Sequence, residues 1–269
     1  MDTTNRHMAQ TTQTGQANNN AAEPNKEEAH ENVMRAQDFA HLHLHSAYSL
    51  LDGALRIEDI PRLARKMGHK HVAITDHGNM FGAVAFYKAC MAEGIHPIIG
   101  CEVYVAPGSR FDKKRIDGEA YHHLILLCEN EVGYRNLSKL VSLGYTEGFY
   151  TRPRIDMELL TQYHTGLIAL SACLAGVVPT CVRKGDFDGA RAHAKQMRDV
   201  MGAQNYYLEL QNHGMSEEED VNRFLLQLSN ELKIPMVATN DVHYAAKEDA
   251  RAQRVLMCIQ TNTTIQDDT

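Results

Sequence analysis

The stretch Phe39-Ala40-His41-Leu42-His43-Leu44-His45 alternates imidazole with leucine. Strict alternation is the pattern of an extended strand, whose successive side chains leave opposite faces. Residues Ala40–His45 are therefore predicted as a strand with His41, His43 and His45 on one face and Leu42 and Leu44 on the other. Imidazoles on a face that would ordinarily be core are costly to bury unless their nitrogens are satisfied. Divalent metal ions do this well, since neutral imidazole is a common ligand for zinc and related metals. The competing reading, a solvated face of an edge strand, is the weaker one because buried polar groups find partners.

Working outward, further extended runs are predicted at His71–Thr75, Pro97–Val105, Leu124–Cys128, Gly166–Ser171, Tyr206–Leu210 and Met236–Thr239. Helical stretches separate most of them: Ile57–Met67, with Ile57, Ile60, Leu63, Ala64 and Met67 on one face, then Ala83–Ala92, Asp186–Met201 and Ser216–Leu232. Ser216 and Glu219 form a capping-box pattern at the start of the last. Strands separated by helices predict parallel βαβ units. A closed barrel fits better than an open dinucleotide-binding sheet, because no G-x-G-x-x-G follows the first strand and polar residues recur after most strands. Such barrels carry their chemistry at the C-terminal ends of the strands.

That rule can be checked along the chain. The second strand ends in Thr75-Asp76-His77-Gly78-Asn79, the fifth in Leu170-Ser171-Ala172-Cys173, and the seventh in Thr239-Asn240-Asp241-Val242-His243. The third carries Glu102 in an otherwise apolar run, and a buried glutamate needs a cation or must protonate. Singly each is more simply a cap or a core residue; together they recur at the same end of successive strands. Two positions resist the rule. His122 and His123 precede the apolar run of their strand instead of following it, His123 in phase with Ile125 and Leu127, His122 with Leu124 and Leu126. Asp52 sits in Asp52-Gly53, which reads equally well as a turn. His69, His96, His164, His193 and His213 show no ligand pattern and are left as surface or core residues.

Composition narrows the setting. The chain has 269 residues, 43% hydrophobic, enough for one large α/β domain. No apolar run is long enough to span a membrane, and no secretory signal is present. The six cysteines contain no C-x-x-C pair, which fits reduced thiols in a cytoplasmic protein and excludes a zinc ribbon. Residues 1–38 are polar, without periodicity, and read as a disordered leader. A formal net charge of −7 is not that of an electrostatic binder of nucleic acid. A phosphate-bearing substrate would need local positive charge, from metal ions or from the loop Ser109-Arg110-Phe111-Asp112-Lys113-Lys114-Arg115 with Arg152 and Arg154. The alternative for that loop is a solvated surface.

The H-x-H-S run, the strand-end T-D-H, the strand-borne glutamate and the final D-x-H together resemble the polymerase and histidinol phosphatase (PHP) superfamily. Within it, Phe39 to Ser46, Tyr48 to Gly53, Thr75 to Ala83, Gly100 to Phe111, Arg152 to Asp156 and Ala238 to Tyr244 are similar to the PHP domains of bacterial polymerase III alpha subunits. The resemblance covers residues 39–269 and implies a distorted seven-stranded (β/α)7 TIM-like barrel, as part of a longer polymerase whose catalytic carboxylates lie beyond this chain. Carried over position by position, it implies metal ligands at His43, His45, Asp52, His77, Glu102, His123, Cys173, Asp241 and His243, so it selects His123 and Asp52 where the pattern alone was undecided. It demotes His41, which stands where many small PHP enzymes carry aspartate.

The chemistry so implied is phosphodiester hydrolysis by three divalent ions (zinc, manganese or iron), with His77, Glu102, Asp241 and His243 catalytic, and 3′–5′ exonuclease proofreading on a DNA 3′ end. The implied partners are the rest of the alpha subunit, a separate proofreading subunit and the sliding-clamp holoenzyme. Two alternatives stand beside it: a metal-binding scaffold without catalysis, and a phosphomonoesterase like histidinol phosphatase. The polymerase-like motifs disfavour the second. The sequence does not separate a structural metal site from a catalytic one.

Overall fold

A computed structural model of the chain describes residues 38–267, so the leader expected over residues 1–38 lies almost wholly outside the described residues. The elements run in the order β1 (Ala40–His41), α1 (Asp59–Lys66), β2 (His71–Ile74), α2 (Ala83–Glu93), β3 (His96–Val105), β4 (His122–Cys128), α3 (Glu131–Thr146) and β5 (Arg154–Ile155). They continue with α4 (Met157–Tyr163), β6 (Leu167–Leu170), α5 (Val177–Arg183), α6 (Phe187–Met201), β7 (Tyr206–Leu210), α7 (Ser216–Leu232), β8 (Met236–Ala238) and α8 (Ala250–Thr261).

One curled sheet carries the strands in the order β1-β2-β3-β4-β6-β7-β8, with β5 paired to β3. A parallel bridge between Leu44 and Val242 joins the chain after β1 to the chain after β8, through His45 N–H to Val242 O at 2.8 Å and Val242 N–H to His43 O at 3.1 Å. The result is a distorted barrel whose ends meet beside the histidine run.

Strand alternation sorts the core into two faces. Ala73, Ile125, Leu127, Leu170 and Ala172 gather with Leu42, Ile98, Ile168, Tyr207 and Val237 inside the curled sheet. Their neighbours point outward under the helices, Val72 and Ile74 with α1 and α2, and Leu124, Leu126 and Leu208 with α3, α6 and α7. Helix ends use local chemistry: the side chains of Asn130, Asp156 and Asp186 accept from the backbone N–H three residues on, opening α3, α4 and α6. The Ser216–Glu219 capping box does not form. Met215 is the N-cap of α7, and Glu218 is drawn instead to His213.

Two expectations about the sheet need correction. β4 runs antiparallel to both β3 and β6, so the sheet is not built from parallel βαβ units throughout. The chain passes from β3 to β4 through a loop rather than a crossover helix, which permits the reversal. In addition, β1 ends at His41, and the chain bends before the Leu44 bridge. Leu42 lies inside the barrel and Leu44 outside it, so the period-2 face is interrupted. His41 turns away to pack edge-on against Phe39, ring centroids 5.0 Å apart, and beside His69 at 5.4 Å. It is not part of the histidine face.

Gly133 marks a close approach between α3 and the turn before β6. A Cβ at this position would overlap Gly166 O, a backbone atom with no room to yield. Gly133→Ala is expected to destabilise the chain by about 2 kcal/mol or more through overpacking, read as a lower midpoint in urea unfolding.

Candidate metal centre

Four segments meet inside the barrel at its closure. The bend after β1 delivers His43 and His45, both fully buried. His77 follows β2, and Glu102 lies on the inner face of β3, paired across a parallel bridge to His77. The segment after β8 delivers Asp241 and His243. Asp241 adopts a left-handed backbone, φ 45°, as does Ala172 before Cys173, φ 64°, so both ligand loops make sharp turns where the side chain must face inward.

A buried carboxylate ties these segments together. Asp76 accepts from Ser46 N and Ser46 Oγ, both at 2.7 Å, and from Ser49 Oγ at 2.8 Å. It thereby fixes the turn that carries Asp52 against the strand end that carries His77. The acid of the Thr75-Asp76-His77 motif thus builds the site without facing its centre.

The hydrogen-bond network assigns the tautomers of the paired histidines. His43 Nδ1 lies 2.7 Å from Glu209 Oε1, a carboxylate that can only accept when ionised, so Nδ1 carries the proton. Ser49 Oγ donates to Asp76 and therefore accepts from His45 Nδ1 at 2.9 Å. Both Nε2 atoms therefore face the centre, 3.1 Å apart. Without metal, burial opposes a second proton on His43 but Asp241, Glu209 and Glu102 keep it there, and His45 Nε2 is left with its lone pair. Asp241 Oδ1 lies 3.1 Å from His43 Nε2 and 3.2 Å from His45 Nε2, while Glu102 lies 3.5 Å and 3.4 Å from the same two atoms. Two imidazoles and two carboxylates are thus turned toward one point.

Glu102 stands between this group and a second. Its Oε2 lies 2.6 Å from His77 Nδ1 and its Oε1 2.8 Å from His123 Nδ1, and Cys173 Sγ lies 3.9 Å from the same His123 nitrogen. Asp52 closes the remaining side, 3.1 Å from His77 Nε2 and 3.6 Å from His243 Nε2. His243 Nδ1 donates to Asp241 O at 2.9 Å, which aims its Nε2 inward. The His45 ring lies between those of His77 and His243, with centroids 4.1 Å and 4.3 Å away.

The donor set fits metal ions. Three triplets have ligand atoms within 4.8 Å of one another: His43, His45 and Asp241; His77, Glu102 and His123; and His45, His77 and His243. Asp241 Oδ1, Glu102 Oε2 and His77 Nδ1 are buried without a hydrogen bond of acceptable geometry. Tetrahedral zinc with bonds of 2.0–2.1 Å to nitrogen places its ligands about 3.3 Å apart, and the contacts among His43, His45, Asp241 and Glu102 cluster around that spacing.

Protonation follows the same crowding. Burial pushes His45 down to about 3, helped by the neighbouring His77 charge. Burial would also lower His77, yet Glu102 and Asp52 raise it to about 10. Burial opposes ionisation of Glu102, but His123, His77 and His43 hold it well below the usual carboxylate range. Burial raises the Cys173 thiol well above its ordinary value, so a cation would be needed to make it a thiolate.

All of the ligands implied by the resemblance therefore converge, His123 included, while His122 points to the outer face beside Glu119 and Lys184. Glu209, Ser49 and Gln211 escaped the sequence reading. Glu209, held by Gln211 Nε2 at 3.1 Å and by the Thr239 hydroxyl, orients His43. The available signal was a glutamate in the apolar run Tyr206–Leu210, the same signal that marked Glu102. His213, left as a surface or core residue, bonds Glu218 at 2.6 Å and Asn240 O at 2.8 Å, and so braces the loop before Asp241.

The basic residues divide. Arg110 is buried and bonded to Asp156, Glu147 and Glu158. Arg154 is 1% exposed and donates to the carbonyl oxygens of Gly148, Ala120, Arg110 and Asp112. These two are structural cations, out of reach of an incoming strand. Lys113, Lys114 and Arg115 remain exposed, and half-buried Arg152 lies over the Tyr104 ring, 5.9 Å from its centroid.

With this geometry in view, the comparisons decide the family. The PHP domain matches residues 41–213. The chain belongs to the PHP domain family. Among similar curated proteins, the DNA polymerase III subunit alpha of Treponema pallidum is 52% identical over 229 residues, covering 85% of this chain and 20% of that protein. The subunit of Thermus aquaticus is 47% identical over 234 residues, covering 85% and 19%. The chain thus spans about a fifth of the length of these relatives. A solved structure from Bifidobacterium adolescentis, described as a candidate metal-dependent phosphoesterase, aligns with TM-score 0.49 at 16% identity, covering 81% of this chain and 96% of that one.

Two outcomes test the centre of this PHP domain. Because His77 holds its proton up to about pH 10 in the metal-free protein, metal uptake at pH 8 should release protons. Titration calorimetry in buffers of different ionisation enthalpy should show that release, together with affinity that tightens from pH 6 to pH 9. Glu209→Gln should weaken metal binding by roughly 10–100-fold through loss of the His43 contact, measured by competition with a chromogenic chelator.

Proposed function

We propose that this chain is the PHP domain of a bacterial DNA polymerase III alpha subunit and that its centre hydrolyses phosphodiesters, acting as a 3′–5′ exonuclease on DNA. The observation that carries the chemistry is the convergence of His43 Nε2, His45 Nε2, Asp241 and Glu102 on one buried point. The DNA setting rests on the likeness to polymerase subunits over 85% of the chain. The proposed partners are the DNA 3′ end, the rest of the alpha subunit, a separate proofreading subunit and the sliding-clamp assembly, in the bacterial cytoplasm.

The proposed cofactors are three divalent ions, since the donors form three triplets. Imidazole and thiol donors favour zinc, manganese or iron over magnesium. Such ions, when bound, supply Lewis acidity toward a phosphate and a nucleophilic water at neutral pH. His43, His45 and Asp241 would hold one ion; His77, Glu102, His123 and Cys173 a second; Asp52, His243 and the shared imidazoles a third.

Glu102 and Asp241 stay ionised against the penalty of burial, so they hold positive charge at the reacting phosphate. Burial would lower His243, but Asp52 and Asp241 raise it. His77 or His243 would hand a proton to the leaving 3′-oxygen only from a ring nitrogen that no metal occupies, since metal uptake displaces the protons these groups hold in its absence. Arg152, whose charge reaches Asp52, receives a phosphate oxygen from outside the cluster, and Lys113, Lys114 and Arg115 are left to meet the strand beyond it.

Asp241→Asn removes the charge that faces both paired histidines and should lower turnover by at least a hundredfold while leaving the thermal midpoint of the metal-free protein within a few degrees. The assay uses chelator-treated and reconstituted protein on a 3′-mismatched primer–template and on a simple phosphomonoester. Wild-type turnover by Asp241→Asn would refute the site. Metal-loaded wild type inert on both substrates would leave the domain a scaffold, and activity on the monoester alone would make it a phosphomonoesterase.

A further inference from the structure

The loop between α3 and β5 is pinned from below by the same basic residues that the sequence reading assigned to phosphate. Arg154 Nε donates to Gly148 O at 3.0 Å, Lys113 Nζ to Glu147 O at 2.7 Å, and Arg110 Nε to Glu147 Oε2 at 2.7 Å. A Cβ on Gly148 would overlap Arg154 O, and a hairpin-like bridge joins Tyr150 and Arg152 around Thr151, φ 60°. The loop is thus a preorganised rim, held by the buried, inward-facing Arg110 and Arg154 and, from the surface, by Lys113.

Outward, this rim presents two aromatic rings and one guanidinium. Tyr145, in the last turn of α3, is 42% exposed and Phe149 is 53% exposed, with ring centroids 6.4 Å apart. Arg152, on the same loop, has no ion-pair partner among the described residues and lies over Tyr104. Tyr104 in turn stacks beside His77 at 6.1 Å and meets His123 at 5.3 Å. A guanidinium at the edge of the candidate ligands is therefore followed by two exposed aromatic rings, one on the same loop and one in the last turn of α3. Such a succession suits a phosphate followed by an unpaired base, because rings stack any base while the cation meets the backbone.

Resting on the nuclease reading above, we propose that Tyr145, Phe149 and Arg152 form a nucleotide subsite: Arg152 receives a backbone phosphate and the Tyr145–Phe149 pair stacks an unpaired base of the same strand. The subsite gives the centre a preference for a frayed or single-stranded end over a paired one, since a base within a duplex has no free face to offer.

The test measures steady-state kinetics of the metal-loaded chain on a single-stranded oligothymidylate, on its duplex with oligoadenylate, and on bis(4-nitrophenyl) phosphate. The double variant Tyr145→Ala/Phe149→Ala should raise KM for the single strand at least about fivefold, with a smaller loss on the aryl diester, which does not reach the pair. Phe149→Trp should keep the single-strand KM near wild type. Tyr87→Ala, an exposed ring on α2, serves as the remote control and should change nothing. Equal losses on strand and aryl diester, or an unchanged single-strand KM in the double variant, would overturn the subsite while leaving the nuclease reading intact. If the wild type turns over none of the three, the nuclease reading fails. The subsite is then judged by fluorescence anisotropy of a labelled oligothymidylate with zinc-loaded protein. Weaker binding by the double variant supports it, and undiminished binding, or none by the wild type, overturns it.

Discussion

The structure depends on one electrostatic constraint: two buried imidazole nitrogens 3.1 Å apart, each within 3.5 Å of two carboxylates, Asp241 and Glu102. Such a group repels itself, and an uncompensated buried charge is among the costliest things a fold can contain. Without metal, protons do the work, and they are divided unevenly: His43 and His77 take them while His45 is denied one. The arrangement is kept in place by groups outside the cluster, Glu209 behind His43, Ser49 behind His45, and Asp76 beneath both turns. These outer contacts fix which nitrogen faces inward, and so decide that the pocket collects lone pairs instead of hydrogen-bond donors.

The reversal of β4 shows how tertiary context changes the meaning of a motif. In a parallel strand the residues after the apolar run reach the reactive end, as His77, Cys173 and Asp241 do. In an antiparallel strand it is the residues before the run that reach that end. His123 stands at the start of β4, in phase with the inward-facing Ile125 and Leu127. It therefore enters the centre from the side where a parallel reading would have placed the barrel's far end. The phase was legible in the chain; the direction was not.

The basic residues teach a related lesson about charge. A loop with several cations reads as a phosphate-binding surface, yet the long side chains of Arg110 and Arg154 turn inward, where a planar guanidinium can satisfy several oxygens at once. Their work is to make the rim rigid. Arg152, a single cation outside the run, has no carboxylate in ion-pair contact among the described residues and lies against Tyr104 and Tyr121, beside the candidate ligand His77. Count and clustering of charge thus mislead here, and the competing buried acceptors, Asp156 and the carbonyls of residues 110, 112, 120 and 148, decide the outcome.

By itself the sequence determined the barrel class, six of the main strands within a residue or two, and the chemical character of the centre, because period-2 alternation, strand-end acids and a glutamate in an apolar run are local signals. Only the tertiary structure decided that His41 leaves the histidine face, that β4 reverses, that Asp52 is drawn in against His77 and His243, and which of the arginines stay free. Each of those depends on a bend, a pairing direction or a distant acceptor, and such features arise where segments meet. A chain carries its side-chain chemistry in order of residues, whereas the neighbours that complete that chemistry are set by packing.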